Sequence, residues 1–244
     1  MSRDDSARLD LYITPEHPCG YLPGRAARTV FVDPEIAMDD RLYSLLASHG
    51  FRRNGPHVYK PHCEGCRACV PLRIPVAEFE PDRGQRRVWK RNRDLRVKSL
   101  DTMSHPEHFA LYKRYLAVRH PGGGMDGSGE PEYAYFLSNP WGRTRMLAMH
   151  GPQGLAAVAV TDELEDALSA VYTFFDPSLA GRSLGTYAIL WQIEEARRRG
   201  LKWLYLGYWI AESRKMAYKD RFRPYEHLGV DGWQRVARTP KRVE

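Results

Sequence analysis

The stretch from Leu155 to Ile210 constrains the fold more than any other part of the chain. Leu155–Thr161 and Leu168–Phe175 are apolar, β-favouring runs separated only by the acidic turn Asp162–Asp166, the pattern of a hairpin. Thr186–Arg199 follows as a helix, with Ile189, Leu190, Ile193 and Ala196 recurring on one face. Its last turn, Arg197-Arg198-Arg199, complements the helix dipole, and Gly200 offers the positive φ that ends it. Trp203–Ile210 then returns as a strand. Strand, strand, helix, strand commits this region to a mixed α/β domain.

Upstream the signals are weaker. Asp39–His49 reads as a short helix with Leu42, Leu45, Leu46 and His49 on one face, closed by Gly50. Val58–Lys60 and Val70–Val76 read as short strands. Arg86–Asp94 is expected to be helical and to lead into a strand, and His105–Val118 to be helical with Phe109, Tyr112 and Leu116 on one side. Pro121–Glu130, rich in glycine, is expected to be a loop that either closes over a substrate, with Met125 and Asp126 at its tip, or connects two elements. Pro75, Pro81 and the polar run to Gly84 place a boundary between an N-terminal cysteine-containing α+β module, 1–78, and a larger domain, 79–244.

Charge is distributed unevenly over the 244 residues. Asp82 to Lys98 holds eight basic residues against two acids, a net of +6 in a chain whose formal charge is +7. On a helix Arg83, Arg86, Arg87, Lys90 and Arg91 fall on one continuous face, with Arg93 just beyond. Five like charges on one face favour a polyanion over simple solvation, and charge alone does not separate RNA from DNA. Trp89 is expected to be an anchor of the opposite side rather than a stacking platform. No window approaches the roughly 18–20 apolar residues of a membrane span, and the first ten residues carry acids where a secretory signal carries bases. A cytoplasmic protein with no membrane partner is expected.

All four cysteines lie in the first module. Cys63, Cys66 and Cys69 form C-x2-C-x2-C, and Cys19 is a fourth possible ligand, so a zinc or iron–sulfur centre stands level with four reduced thiols. The next cysteine of a ferredoxin-type run is replaced by Arg73. Arg182, Ser183, Gly185 and Thr186 lie in the turn that opens the strong helix, where small residues expose N–H groups to a phosphate; on spacing alone this is an ordinary strand–turn–helix. Further on, Arg214, Lys215, Lys219, Arg221 and Arg223 are interleaved with Tyr208, Trp209, Tyr218 and Phe222, a mixture suited to stacked nucleotides or to a carboxylate-bearing substrate.

In order along the chain come PCGYLPGRAARTVFVDP, HCEGCRACVPLRIPV, QRRVWKRNRDL, SAVYTFFDP, RSLGTYAILWQIEEARRRG and YLGYWIAESRKMAYKDRFRP. Over Cys19–Trp233 these strings closely resemble the bacterial aspartate/glutamate leucyltransferases, relatives of the eukaryotic arginyl-tRNA–protein transferases. The resemblance implies a GNAT-like mixed-sheet C-terminal domain, leucyl-tRNA as donor, and protein acceptors with N-terminal Asp or Glu that are thereby marked for degradation through the N-end rule. It implies that Arg182, Ser183, Gly185 and Thr186, at the place where GNAT enzymes hold a pyrophosphate, handle the 3′ end of the tRNA. The basic helix then becomes a tRNA-binding surface, and no DNA partner is expected. Where the eukaryotic relatives carry a C-x2-C pair near the start, Cys19 here is followed three residues on by Leu22, so their metal or cluster carries over only in part.

Such a reaction needs alignment and oxyanion stabilisation more than a strong base, and no cofactor for its chemistry. An aminoacyl ester is activated, and an α-amine with a reference pKa of about 7.7–8.0 is partly neutral at pH 7. Asp176 is the candidate to receive the amine proton or orient the ammonium. Tyr172 and Tyr208 are candidates to donate to the ester or ribose, although both also fit as core strand residues. Arg214, Lys215, Lys219 and Arg221 are the candidates to recognise the acidic N-terminus. An arginyl-tRNA–protein transferase with the same acceptors, a non-enzymatic RNA-binding protein and a cysteine-centred sensor remain as alternatives.

Overall fold

The computed structural model describes residues 9–101, 105–122, 127 and 129–237. The first part holds β1 (Leu11–Ile13), β2 (His17–Pro18), β3 (Ala26–Ala27), β4 (Thr29–Val32), α1 (Asp40–Ser48), β5 (Arg52–Asn54), β6 (His57–Pro61) and β7 (Val70–Pro75). Then come α2 (Arg83–Arg91), β8 (Arg96–Leu100), α3 (Pro106–Arg119), α4 (Glu130–Leu137), β9 (Arg143–Gly151) and β10 (Gly154–Glu163). The last part is β11 (Ala167–Phe175), α5 (Leu184–Arg198), β12 (Trp203–Trp209), β13 (Tyr225–Gly229) and β14 (Gly232–Val236).

The expected hairpin is present: β10 and β11 pair antiparallel, Ala157 opposite Phe175 and Glu163 opposite Leu168. α5 carries the chain from β11 to β12, which lie parallel. A mixed sheet of eight strands results, in the order β14-β13-β7-β12-β11-β10-β9-β8, in which antiparallel strands lead through a crossover helix to a parallel strand, the mixed α/β arrangement expected of this region. One face is covered by α5, where Ile189, Leu190, Ile193 and Ala196 pack on Leu72, Ile74, Leu168, Leu204 and Leu206. On the other face α3 and α4 bury Leu111, Tyr112, Tyr133 and Leu137 against Met146, Val158 and Phe174.

β1, β4, β6 and β5 form a second sheet of four strands. The segment assigned to the N-terminal module also supplies β7 to the large sheet, where it pairs with β12 and β13. Val30, Val32, Tyr43, Leu46 and Val58 of that module are buried, and Ala167 and Tyr205 of the large sheet close the same cluster. The apolar stripe of α1 is centred on Tyr43, Leu46 and Ala47, which leaves Leu45 55% exposed, so the face expected from Leu42, Leu45 and Leu46 is rotated.

A buried ion pair joins the two parts. Arg53 of β5 meets Asp162 of β10 with Nε–Oδ2 at 2.6 Å and Nη2–Oδ1 at 2.7 Å, both side chains fully buried. Thr144 and Tyr43 donate to the same carboxylate at 2.6 and 3.3 Å. On a strand adjacent side chains alternate in direction, so fixing Arg53 sends its neighbour Arg52 the other way.

Met125 and Asp126 of the glycine-rich loop lie outside the described residues.

Candidate active site

β11 and β12 pair only through Ala167–Ser169 and Trp203–Tyr205; beyond them the strands are no longer paired and the sheet opens. The freed carbonyls of Ala170 and Val171 accept from Arg52 Nη2 at 2.8 and 3.3 Å. Across the opening Gly207 has φ +72°, and a Cβ there would overlap the Arg52 guanidinium, so only glycine admits that side chain. The Nη1 atom of Arg52 is buried without a hydrogen-bond partner.

Next to Gly207, Tyr208 turns inward and donates to the carbonyl of Gly50 at 2.9 Å. Its own carbonyl accepts from Lys219 Nζ at 2.7 Å. Lys219 is 7% exposed, and burial, reinforced by the charge of Arg52, pulls its ammonium down to about 7. The hydroxyl ends of Tyr59 and Tyr218 lie in the same region, both pushed up by burial, with the Arg52 charge opposing.

Tyr172 stands on the other bank, its ring 5.2 Å from Phe136 and in edge contact with Tyr112 and Tyr115. Burial raises its hydroxyl far above the ordinary value, so it is a proton donor and not a phenolate. At the end of β11, Asp176 accepts from Ser178 N at 2.9 Å and Ser178 Oγ at 2.6 Å, with Arg114 3.7 Å away. The Ser178 hydrogen bonds hold its carboxyl below the usual range, which makes it a fixed negative charge and a weak base.

Two sequence features far apart in the chain meet at the start of α5. Ser183, at φ +55°, opens this helix, with Gly185 and Thr186 in its first turn. Arg182 does not point outward from that turn. It donates to Asn92 Oδ1 at 2.9 Å and to the Arg91 carbonyl at 3.2 Å, and pairs with Asp94. Arg91 donates back to the Gly181 carbonyl, and buried Asn92 to that of Arg182. The basic helix α2 is thus tied to the N-terminus of α5. An Asp82/Gln85 capping box starts α2, Gln85 anchors it to the Arg221 carbonyl at 3.1 Å, and Arg83, Arg86, Arg87, Lys90, Arg91 and Arg93 face solvent. Trp89 lies 5.5 Å from the ring of Tyr187 on α5 and stays 38% exposed.

The four cations of the acceptor-recognition set are dispersed. Arg214 and Arg221 line an open cleft of about 530 Å³ with Ala217, Tyr218, Asp220 and Arg223. Lys215 lies 3.3 Å from His120 at the end of α3, and Lys219 is beneath the opening.

Cys19, Cys63, Cys66 and Cys69 are all reduced and half-buried. Burial, with the other three thiols adding, pushes Cys69 up to about 12, and Cys63 Sγ lies 3.6 Å from the Arg28 carbonyl. Metal binding requires thiolates, and among the described residues no group of three or more His, Cys, Asp or Glu is placed to hold a metal ion. The arrangement gives no support to a zinc or iron–sulfur centre at these cysteines. Arg73, in place of the next cysteine, lies between Trp203 and Trp233 at 3.7 and 4.1 Å and pairs with Glu226 at 2.7 Å.

Sequence reasoning missed Arg52 and Gly207 and read Gly50 only as the end of a helix. The signal for Arg52 was the pair Arg52-Arg53 ahead of an Asn-Gly turn, two adjacent charges on a strand that must bury at least one of them.

Among known proteins, the model described as arginine-tRNA-protein transferase, N terminus, matches residues 17–87, and that described as its C terminus matches 107–229. The aspartate/glutamate leucyltransferase of Stenotrophomonas maltophilia (strain R551-3) is 53% identical over 237 residues, 95% of this chain and 94% of its own. The enzymes of that name from Teredinibacter turnerae and Nitrosococcus oceani are 48% and 49% identical, covering 94% and 95% of this chain and 95% and 98% of theirs. The solved structure of L-PGS from Bacillus licheniformis aligns with a TM-score of 0.45 at 11% identity, covering 68% of this chain and 49% of that one. By its two matched models and by near-full-length identity of about one half to these enzymes, the chain belongs to the arginine-tRNA-protein transferase family.

Proposed function

We propose that this protein transfers leucine from leucyl-tRNA to the α-amine of proteins that begin with Asp or Glu, creating a degradation signal in the cytoplasm. The observation that carries the reading is the near-full-length match to enzymes named aspartate/glutamate leucyltransferase, on a sheet that opens beside a cluster of cations. In the reaction the amine nitrogen attacks the leucyl ester carbon, the C–N bond forms, the ester C–O bond breaks, and the ribose hydroxyl leaves with the proton lost by the amine.

The exposed face of α2 and the first turn of α5 form one surface for the tRNA. Arg83, Arg86, Arg87, Lys90, Arg91 and Arg93 supply charge to its phosphates, and Gly185 and Thr186 present backbone N–H groups near the 3′ end. The N–H of Ser183, which opens the helix, is taken by the Ala180 carbonyl. Arg182 holds the two helices in register, a supporting role rather than a direct contact. Asp176, a carboxylate of low proton affinity, suits orientation of the acceptor's ammonium better than proton abstraction. Tyr172 is the donor to the ester or ribose oxygen. Tyr208 has its hydroxyl engaged by Gly50 and supports the opening. No cofactor takes part in these steps.

The test is incubation of the protein with leucyl- or arginyl-tRNA and a peptide beginning with Asp, read by mass spectrometry of the peptide. Addition of leucine alone is expected. Addition of arginine alone would reassign the donor, and no addition of either would remove the enzymatic reading.

A further inference from the structure

Arg52 and Lys219 make an unusual pair. Both lie beneath the opening between β11 and β12, and the charge of Arg52 bears on Lys219 directly. The hydrogen bonds of each go to backbone carbonyls: Arg52 to Ala170 and Val171, Lys219 to Tyr208. No carboxylate is among the groups that act on Lys219. Lys219 is buried and Arg52 half-buried with its Nη1 out of solvent. Charge withdrawn from water without a counter-charge is costly unless a ligand brings the missing anion, which would also favour the charged form of Lys219. Arg53, one residue from Arg52, shows the contrast, because its carboxylate partner is built in.

The opening is shaped for the guanidinium to present an edge. Nη2 is held by β11, Nη1 is buried and unpartnered, and Gly207 removes the side chain that would otherwise occupy its place. Lys219 is tied to this place by its hydrogen bond to the Tyr208 carbonyl at 2.7 Å, and the Tyr208 hydroxyl is held by the Gly50 carbonyl. A cationic pocket of this kind repels an ammonium and takes a carboxylate, and a fixed guanidinium reads it directionally.

We propose that Arg52 and Lys219 form the pocket that receives the side-chain carboxylate of the acceptor's first residue. This rests on the transfer reading above and adds the residues that make it selective. Arg214 and Arg221, exposed at the open cleft, attract acidic protein without discriminating its first residue, because their charge is screened by solvent.

The test separates binding from transfer. Fluorescently labelled decapeptides that differ only in beginning with Asp or Asn are titrated with the protein in the absence of tRNA. The same peptides are then used in transfer with leucyl-tRNA. The wild type is expected to bind the Asp peptide more tightly than the Asn peptide by about 10–10²-fold, the scale of a hydrogen bond to a charged group. Arg52→Gln, which keeps an amide donor for the β11 carbonyls, is expected to erase most of that ratio, chiefly through KM. Lys219→Met relieves a buried charge but leaves the Tyr208 carbonyl unpaired, so its fold is checked by circular dichroism; it is expected to lower the ratio about tenfold. If both variants keep the wild-type Asp/Asn ratio, the proposal is overturned. If they change affinity for leucyl-tRNA and leave the ratio intact, the pocket holds a phosphate and the proposal is again overturned. A wild type that binds the Asp peptide in an Arg52-dependent way and transfers nothing supports the pocket while refuting the transfer reading.

Discussion

Replacing Asp162 by Asn tests whether the N-terminal module and the large sheet form one cooperative unit. The carboxylate accepts four hydrogen bonds, from Arg53 Nε and Nη2, Thr144 and Tyr43, at 2.6 to 3.3 Å in a fully buried site. An amide of the same shape turns its NH2 towards at least one of those donors and leaves the Arg53 charge uncompensated. Removing one partner of a buried pair costs about 3–5 kcal/mol. At roughly 2–4 °C per kcal/mol for a chain of this size, the melting temperature should fall by about 6–20 °C. The assay is thermal denaturation followed by circular dichroism, with Arg53→Met and the double variant Arg53→Met/Asp162→Leu completing a cycle. The double variant removes both charges and should lose about 2 kcal/mol less than the singles sum to, because neither charge is then left alone. It should not match the wild type, since Thr144, Tyr43 and the Ser138 carbonyl lose partners. An Asp162→Asn protein melting within about 2 °C of the wild type would refute the reasoning, as would strictly additive losses.

Three further outcomes are expected. Gly207→Ala forces a side chain into a positive φ and into the Arg52 guanidinium, so it should cost about 1–2 kcal/mol in stability and reduce Asp/Asn discrimination as Arg52→Gln does; a variant with wild-type discrimination would refute the role of that gap. Arg86→Glu with Arg87→Glu should lower the slope of log affinity for tRNA against log salt by about 1–2, and an unchanged slope would detach α2 from the phosphates. Burial, with His105 adding, holds His108 down to about 4. From about pH 4 to the ordinary 6.5 the unfolded chain binds a proton that the folded chain does not, so stability rises with pH across that window. His108→Leu should therefore narrow the gap in melting temperature between pH 4.5 and 7, and an undiminished gap would count against this assignment.

The large sheet was legible because β10, β11, α5 and β12 carry their periodicity locally. Leu168, Ile189, Ile193 and Leu204 occupy the faces that spacing assigns to them. α4, β9, β13 and β14 were not read: Glu130–Leu137 has no clear apolar stripe, and Arg143–Gly151 begins with two arginines, of which Arg145 meets Asp101 and Glu163 only after folding. At the site, exposed charge was legible and its commitments were not. The sequence places Arg91 and Arg182 in the right neighbourhood, yet nothing local says that Arg182 is held by the Arg91 carbonyl and Arg91 by that of Gly181. Arg52 stayed hidden for a related reason. Its importance comes from a strand pairing that stops after Ser169, which is a property of two strands and not of either one.

The two kinds of positive charge in this protein suit two tasks that one kind would not serve. In the proposed tRNA surface the arginines of α2 are exposed and screened over about 8 Å at physiological ionic strength, which suits attraction of a large polyanion from many directions with little sensitivity to its details. That is appropriate to a donor whose identity is already fixed by the amino acid it carries. The acceptor must be chosen by one functional group on one residue, and the proteins that lack it differ by little more than a charge. Discrimination at that level needs cations whose cost of burial is offset only when a carboxylate arrives, and desolvation supplies the cost. Placing Arg52 and Lys219 under the opened strands, with glycine at 207 and carbonyls as their hydrogen-bond partners among the described residues, creates that condition where β11 and β12 part.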